Sequence, residues 1–356
     1  MTKLKVIQWS TGNVGAHAVR LIAQHPALEL VGLYVNSESK VGKDAGDLVG
    51  IPATGVLATN DIDALLALDA DCVCYTSTAD LRPLEAIADM ARIAASGKNI
   101  VSSSVVPLLY PPHVEVGMRR PLEDACDVGR VSCFTSGIDP GWANDLLPLV
   151  LTGQCERIDS VRMMEIVNYA TYAQPTVLFD TMGFGTSLDH TPLLLTPGVL
   201  TFAWGGVVKQ IAAGLGVELE DIVETHEKVG APHDIDLGFG VVKEGTMAAM
   251  RFEVQGIVGG KPRIVLEHVT RLDDDLAPDW PQPVGHSGYR VIVSGSPTYT
   301  LDLQMMGEDG DHNTAGLIGT AARLVNAIPA VCAAEPGLLC ALDLPLVPGR
   351  GLMPTN

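Results

Sequence analysis

Residues 3–18, KLKVIQWSTGNVGAHA, decide the fold. Leu4, Val6 and Ile7 form a short apolar run suited to a buried parallel strand. Ser10, Thr11, Gly12, Asn13, Val14 and Gly15 then make a small-residue turn. From Val14 a helical pattern begins, with Val14, Ala18, Leu21 and Ile22 at i, i+4, i+7 and i+8 on one face. Strand, tight glycine turn and helix is how a dinucleotide-binding βαβ unit opens. A helix N-terminus offers unpaired N–H groups and a positive dipole end, and glycine lets a diphosphate approach that backbone closely. The turn reads Ser10-x-Gly12-x-x-Gly15, so serine stands where the G-x-G-x-x-G pattern has its first glycine. A structural turn in an unrelated α/β protein is the competing reading, and the position after an N-terminal strand favours the nucleotide.

The rest of the chain is consistent with such a unit and longer than it. At 356 residues, two domains are expected. A hydrophobic fraction of 47% predicts a globular chain, not a disordered one. The net charge of −19 argues against nucleic acid or an anionic membrane as partner, since both require clustered Lys and Arg. No apolar run approaches the length of a bilayer span, and the N-terminus leads directly into a strand. These features predict a cytoplasmic protein without signal peptide or transmembrane helix. Seven scattered cysteines with no C-x-x-C pair predict reduced, mostly buried thiols.

Along the chain, residues 28–35 read as the second strand. It ends at Asn36, where an NAD-binding protein usually places an acid for the ribose 2′-hydroxyl. Asn36 and Ser37, with Lys40 nearby, would instead tolerate or attract a 2′-phosphate, which predicts NADP(H) as preferred cofactor and NAD(H) as the other candidate. A short helix over 61–68 and a buried strand over 70–77 follow. That strand ends in the hydroxyls of Thr76, Ser77 and Thr78, at the strand end where open α/β sheets bind ligands. A helix over 81–96 and strands over 99–102 and 131–136 complete the pattern, which stops at the breaker-rich joint 137–141. Beyond it, strands are expected over 158–167, 246–258, 262–270, 289–294 and 299–305, with Gly259-Gly260 as a hairpin turn. Helices are expected over 200–214, 219–226 and 315–328, the last ended by Pro329. The fold class is α/β: a Rossmann doubly wound parallel sheet (1–140), an α+β substrate and dimerisation domain (141–312), and a C-terminal helix and tail (313–356) returning to the first domain.

Catalytic motifs of other classes are missing. No His pair has metal-ligand spacing, and no nucleophile elbow or Walker A motif is present, so no metal site is expected. His286 and His312 lie in loop-like sequence, either as proton carriers or as ordinary exposed histidines. Cys133 has no helix start behind it to make a thiolate. Hydride transfer, with the protein supplying position and a proton donor, is the chemistry that remains.

Five stretches then recur in one family in this order: WSTGNVG (9–15), KVGKDAGDL (40–48), GIDPGWANDLLP (137–148), MGFG (182–185) and NAIPAVCAAEPGL (326–338). Over essentially its whole length the chain resembles the native amine dehydrogenases and 2,4-diaminopentanoate dehydrogenases, whose nucleotide domain is similar to that of dihydrodipicolinate reductase. The resemblance implies a Rossmann domain, a homodimer, and reversible reductive amination of a small apolar ketone or aldehyde with ammonia. By the same resemblance, Ser10, Thr11, Gly12, Asn13 and Val14 hold the pyrophosphate, while Asn36, Ser37 and Lys40 meet the adenosine ribose. Thr76 and Ser77 line the middle of the cofactor, and Asp139, Pro140 and Asn326 approach the nicotinamide. Trp142, Tyr169 and Tyr172 would wall a substrate pocket, or pack the core.

The chain departs from the family in one important place. The amine dehydrogenases carry a glutamate after the strand matching residues 99–102, where it activates ammonia and binds the cationic intermediate. Residues 102–110 here read SSSVVPLLY, with no carboxylate, and Val105 or Val106 stands in the pocket position. A cation in an apolar pocket without a counter-charge is costly. Either Glu165 or Asp139 takes the role, or the substrate never becomes a cation. In the latter case the protein is a plain carbonyl reductase, with Tyr110, Tyr169 or water as proton donor. A dinucleotide-binding protein without catalysis is the third reading.

Overall fold

The computed structural model describes residues 2–79 and 82–354. It divides into two compact units, one of residues up to Ile138 together with those from Leu317 onward, the other Asp139–Gly316.

In the first unit, strands and helices alternate: β1 (Leu4–Trp9), α1 (Asn13–Gln24), β2 (Leu28–Tyr34), α2 (Ala45–Val49), β3 (Ala58–Thr59), α3 (Ile62–Leu66), β4 (Cys72–Tyr75), α4 (Pro83–Ala95), β5 (Asn99–Ser102), α5 (Val116–Gly129) and β6 (Ser132–Thr135). The second unit holds α6 (Leu146–Thr152), β7 (Arg157–Asn168), α7 (Val199–Leu215), β8 (Asp221–Gly230), β9 (Ile235–Asp236), β10 (Val241–Val242), β11 (Met247–Val258), β12 (Lys261–Arg271), β13 (Gly288–Ser296) and β14 (Tyr299–Leu303). Helix α8 (His312–Cys332) and strand β15 (Gly337–Leu339) follow.

The first unit is a parallel sheet in the order β15-β6-β5-β4-β1-β2-β3. Alternation along β1 sends Val6 into one core, with α1 residues Ala18 and Ile22 and α8 residues Leu324 and Ile328. It sends Ile7 into the other, with Ile87 and Met90 of α4 and Leu122 of α5. The last helix therefore packs on the nucleotide-type sheet. The helix expected over 81–96 appears as α4, and Leu81 lies outside the described residues.

The second unit is a mixed sheet in the order β14-β13-β7-β12-β11-β8, parallel only between β7 and β12. Gly259 and Gly260 join β11 to β12 with φ of +60° and +69°, left-handed values that make the two-residue turn fit the strand twist.

Four expectations need correction. Residues 219–226 do not form a helix: β8 pairs with β11 instead. Its inward Glu224 is satisfied by the N–H groups of Gly198 and Thr201, so no apolar alternation advertised the strand. Helix α8 does not end at Pro329 but runs to Cys332, because Ile328 and Val331 are both seated in the core. It starts earlier as well, where Asp311 accepts the Thr314 N–H at 2.9 Å. Helix α5 was hidden by Pro121 and by an apolar face reduced to Leu122, Ala125 and Cys126. Finally, α8 is long and apolar enough by length and composition to cross a membrane, contrary to the reading of the apolar runs, although its Leu324, Val325 and Val331 sit in the first unit's core.

All seven cysteines are free thiols, and burial pushes Cys74 up to about 12.

Candidate active site

The turn after β1 is built around a buried amide. Gln8, with no exposed surface, donates through Nε2 to the Ser10 carbonyl (2.9 Å) and to Thr76 Oγ1 (2.8 Å), which itself donates to the Trp9 carbonyl (3.1 Å). Ser10 adopts φ +84°, the conformation that favours glycine, and its Oγ accepts the Gly12 N–H at 3.3 Å. Helix α1 has Gly12 as its N-terminal capping residue, with no side-chain cap and no acid in its first turn, so its leading N–H groups stay available. A Cβ at Gly12 would meet only Ser10 Oγ at 3.8 Å, leaving open space over the turn. A Cβ at Gly15 would lie 2.3 Å from the Ser10 carbonyl, so only glycine lets α1 pack on the turn. Lys40 Nζ donates to Thr11 Oγ1 at 2.9 Å. Ser37 Oγ and Ser39 Oγ are 2.8 Å apart, Asn36 is exposed, and Glu38 is engaged by Asn60 (2.8 Å). The Ser77 carbonyl accepts from Ser104 Oγ. On α8, Asn326 Oδ1 is buried without a hydrogen-bond partner among the described residues. Open turn, free amides and orphaned amide oxygen fit a dinucleotide.

The second unit carries the titratable chemistry. In register across its sheet lie Leu303, Tyr289, Glu165, His268, Phe252 and His226, one residue from each of its six strands. Glu165 (6% exposed) and His268 (4% exposed) form a buried ion pair through His268 Nε2. The Tyr289 hydroxyl hydrogen-bonds Glu165 from the other neighbouring strand, and the Tyr169 hydroxyl lies 3.5 Å from it. Burial pushes the Glu165 carboxyl up, but His268 beside it outweighs this and leaves it below its usual value. Burial pushes His268 down, but Glu165 and Asp139 leave it raised.

Asp139 completes the group, with donor atoms of Asp139, Glu165 and His268 within 4.8 Å of one another. It lies in the joint before α6, where the Asp139–Pro140 peptide is cis. Asn144 holds this joint by accepting the Gly141 N–H (3.0 Å) and bonding Asp139. Trp204 Nε1 of α7 donates to Asp139 Oδ1 at 3.0 Å, while Oδ2 is buried and has no partner among the described residues. Burial first, and the Glu165 charge second, push the Asp139 carboxyl up to about 7. The indole of Trp204 also packs against Phe252 (4.9 Å) and His268 (5.9 Å), and Tyr172 stacks on Tyr169 at 4.7 Å. The result is an aromatic-walled site with one paired carboxylate and one unpaired acid that titrates near neutrality.

The structure thus gathers Glu165, Tyr169, Tyr172 and Asp139. Tyr110 lines a cleft of the first unit with Arg119, Glu123, Cys340 and Asp343, and burial raises its phenol, making it a poorer acid. Val105 belongs to the apolar core that also holds Leu108, Ile7 and Trp9, 5% exposed at φ +54°, and is a core residue where a pocket wall was expected. Trp142 is half-buried after Pro140, and it is Trp204 whose indole reaches the acid. Of the two histidines expected in loops, His286 is exposed and bonded to Asp274 (3.0 Å), while His312 instead opens α8 and packs against Tyr289 (5.5 Å). The sequence reading missed His268 and Trp204. The available sign was His268 and Thr270 on the same face as Leu266, where strand alternation calls for apolar side chains.

Known proteins match both halves of this description. Residues 142–353 match the family model of the 2,4-diaminopentanoate dehydrogenase C-terminal domain, and residues 6–103 that of the dihydrodipicolinate reductase N-terminus. An amine dehydrogenase from Streptomyces virginiae is 42% identical over 353 residues, covering 98% of each chain. The chain belongs to the amine dehydrogenase family. A 2,4-diaminopentanoate dehydrogenase from Acetoanaerobium sticklandii is 26% identical over 97% of this chain and 94% of that one. The fold is shared with an amine dehydrogenase structure from Mycobacterium smegmatis (TM-score 0.76, 20% identity, 98% and 97% coverage). As a member of this family the protein is an NAD(P)-dependent oxidoreductase, and its nicotinamide cofactor belongs with the Rossmann domain.

Proposed function

We propose that the protein interconverts a small, largely apolar ketone or aldehyde plus ammonia with the corresponding primary amine, and that Asp139, set beside the paired Glu165, replaces the glutamate absent from residues 102–110. The observation that carries this reading is the unpartnered, buried Asp139 Oδ2 beside an already neutralised Glu165–His268 pair. Ammonia and a carbonyl give a carbinolamine, whose hydroxyl must leave as water. Asp139 in its acid form donates that proton, and the carboxylate it becomes faces the iminium cation. With a value about 7, both forms of Asp139 are populated near neutral pH. Trp204, Tyr169 and Tyr172 surround the cation with aromatic faces, which attract it, and keep water out.

A nicotinamide cofactor, when bound, supplies or accepts the hydride. The Ser10–Gly15 turn would hold its diphosphate, Lys40 and Ser37 a 2′-phosphate, and Asn326 Oδ1 would accept from the carboxamide. Lys40 and the lack of an acid at Asn36 support NADP(H) over NAD(H). A homodimer in the cytoplasm is part of the same proposal, and light scattering on the purified protein tests the assembly.

The deciding experiment is NADPH oxidation with a panel of small ketones, with and without ammonium. Amine formation that requires ammonium is expected. Alcohol formation indifferent to ammonium would replace this reading with a carbonyl reductase, which the neutral acid form of Asp139 also supports.

A further inference from the structure

Behind the ion pair stands a residue that touches neither substrate nor cofactor in the reading above. Thr270, two residues after His268 on β12, has no exposed surface, and its Oγ1 lies 2.8 Å from His268 Nδ1. The other ring nitrogen, Nε2, is committed to Glu165. A buried imidazolium has two N–H groups and needs an acceptor at each, since an orphaned buried donor carries the full desolvation penalty.

We propose that Thr270 is a positioning residue: its hydroxyl oxygen accepts the Nδ1–H of His268 and keeps the ring doubly protonated, so that His268 cancels Glu165 and leaves Asp139 as the one negative group offered to the substrate's cation. The inference rests on the function proposed above. The groups that face this ring are Glu165 of β7, Tyr169 just after β7, Asp139 before α6, Trp204 of α7 and Phe252 of β11, with Tyr289 of β13 and His312 acting through Glu165. Burial and the neighbouring carboxylates hold both tyrosines far above their usual values, so neither supplies charge near neutrality. His268 is the cation that lowers Asp139, and its loss must therefore move Asp139 upward.

Two measurements on the full chain test this. In the wild type, kcat/KM for amine oxidation should rise with pH around 7 as Asp139 ionises. Thr270→Val should move that rise to higher pH by about half a unit or more, while Thr270→Ser, which restores the hydroxyl, should leave it in place. An unchanged or lowered midpoint in a folded Thr270→Val protein overturns the proposal. Independently of turnover and of any folding defect, the 15N spectrum of wild-type histidines, assigned with His268→Gln, should show both His268 nitrogens protonated at pH 7. One bare nitrogen there overturns it equally. A wild type that oxidises no amine defeats the proposed function instead, and the nitrogen spectrum still decides the state of His268.

Discussion

Glu165 and His268 sit directly opposite each other on β7 and β12, the only parallel pair of the second sheet, with both carboxylate and ring buried. That pairing neutralises the deepest charge of the site and leaves Asp139 as the group free to titrate.

Asp139→Asn should therefore lower kcat/KM for amine oxidation by about a hundredfold or more, since both its proton transfer and its charge are lost. The residual rate should no longer rise around pH 7. Initial rates between pH 5 and 9 check this.

The same substitution should stabilise the protein at alkaline pH. A folded-state value about 7, against an ordinary aspartate value near 4, means the native state keeps a proton the unfolded chain has released. Stability is thus lost as pH rises from about 4 through about 7. Melting temperatures should favour Asp139→Asn at pH 8 and converge at pH 4.

Glu165→Gln should cost about 3 kcal/mol or more, because it strands a buried imidazolium, and Glu165→Gln with His268→Gln should cost less than the sum of the two singles. Glu165 is depressed, so its contribution is lost as pH falls through its folded value; His268 is raised, so its contribution is lost as pH climbs through its own. Urea unfolding near pH 6, between those limits, is the measurement.

Lys40→Ala should weaken NADP(H) by about tenfold and NAD(H) little, read by calorimetric titration of both cofactors. Equal weakening would assign Lys40 to Thr11 and the turn alone.

Ser10→Gly should stabilise the fold by about 1 kcal/mol, because it relieves the φ of +84°, and chemical denaturation checks it. Gly15→Ala should do the opposite, since its Cβ collides with the Ser10 carbonyl.

What could be read in the sequence was what is encoded locally. The β1 turn, the Gly259-Gly260 hairpin and the apolar faces of α1, α4 and α8 each announce themselves within a dozen residues. The sequence of β8 reads as a helix because Glu224 takes its partners from Gly198 and Thr201, 26 and 23 residues earlier and outside any local window. His268 and Trp204 escaped for the same reason. Neither has a local motif, and each gains its meaning from a neighbour about a hundred residues or more earlier in β7 or from a joint 65 residues away. Val105 is placed by resemblance to a site whose glutamate this chain lacks, and burial makes it a core residue; Tyr110, the donor of the carbonyl-reductase reading, is half-buried along a cleft of the first unit.

The row from Leu303 to His226 makes the chemistry all-or-none with respect to strand length. Adding or deleting one residue within β7 or β12 would turn Glu165 or His268 to the opposite side of the sheet, separating acid from base without altering composition. Insertions in the loops that join these strands carry no such penalty, so changes of length accumulated over descent should be crowded into the connections and absent from the ladder.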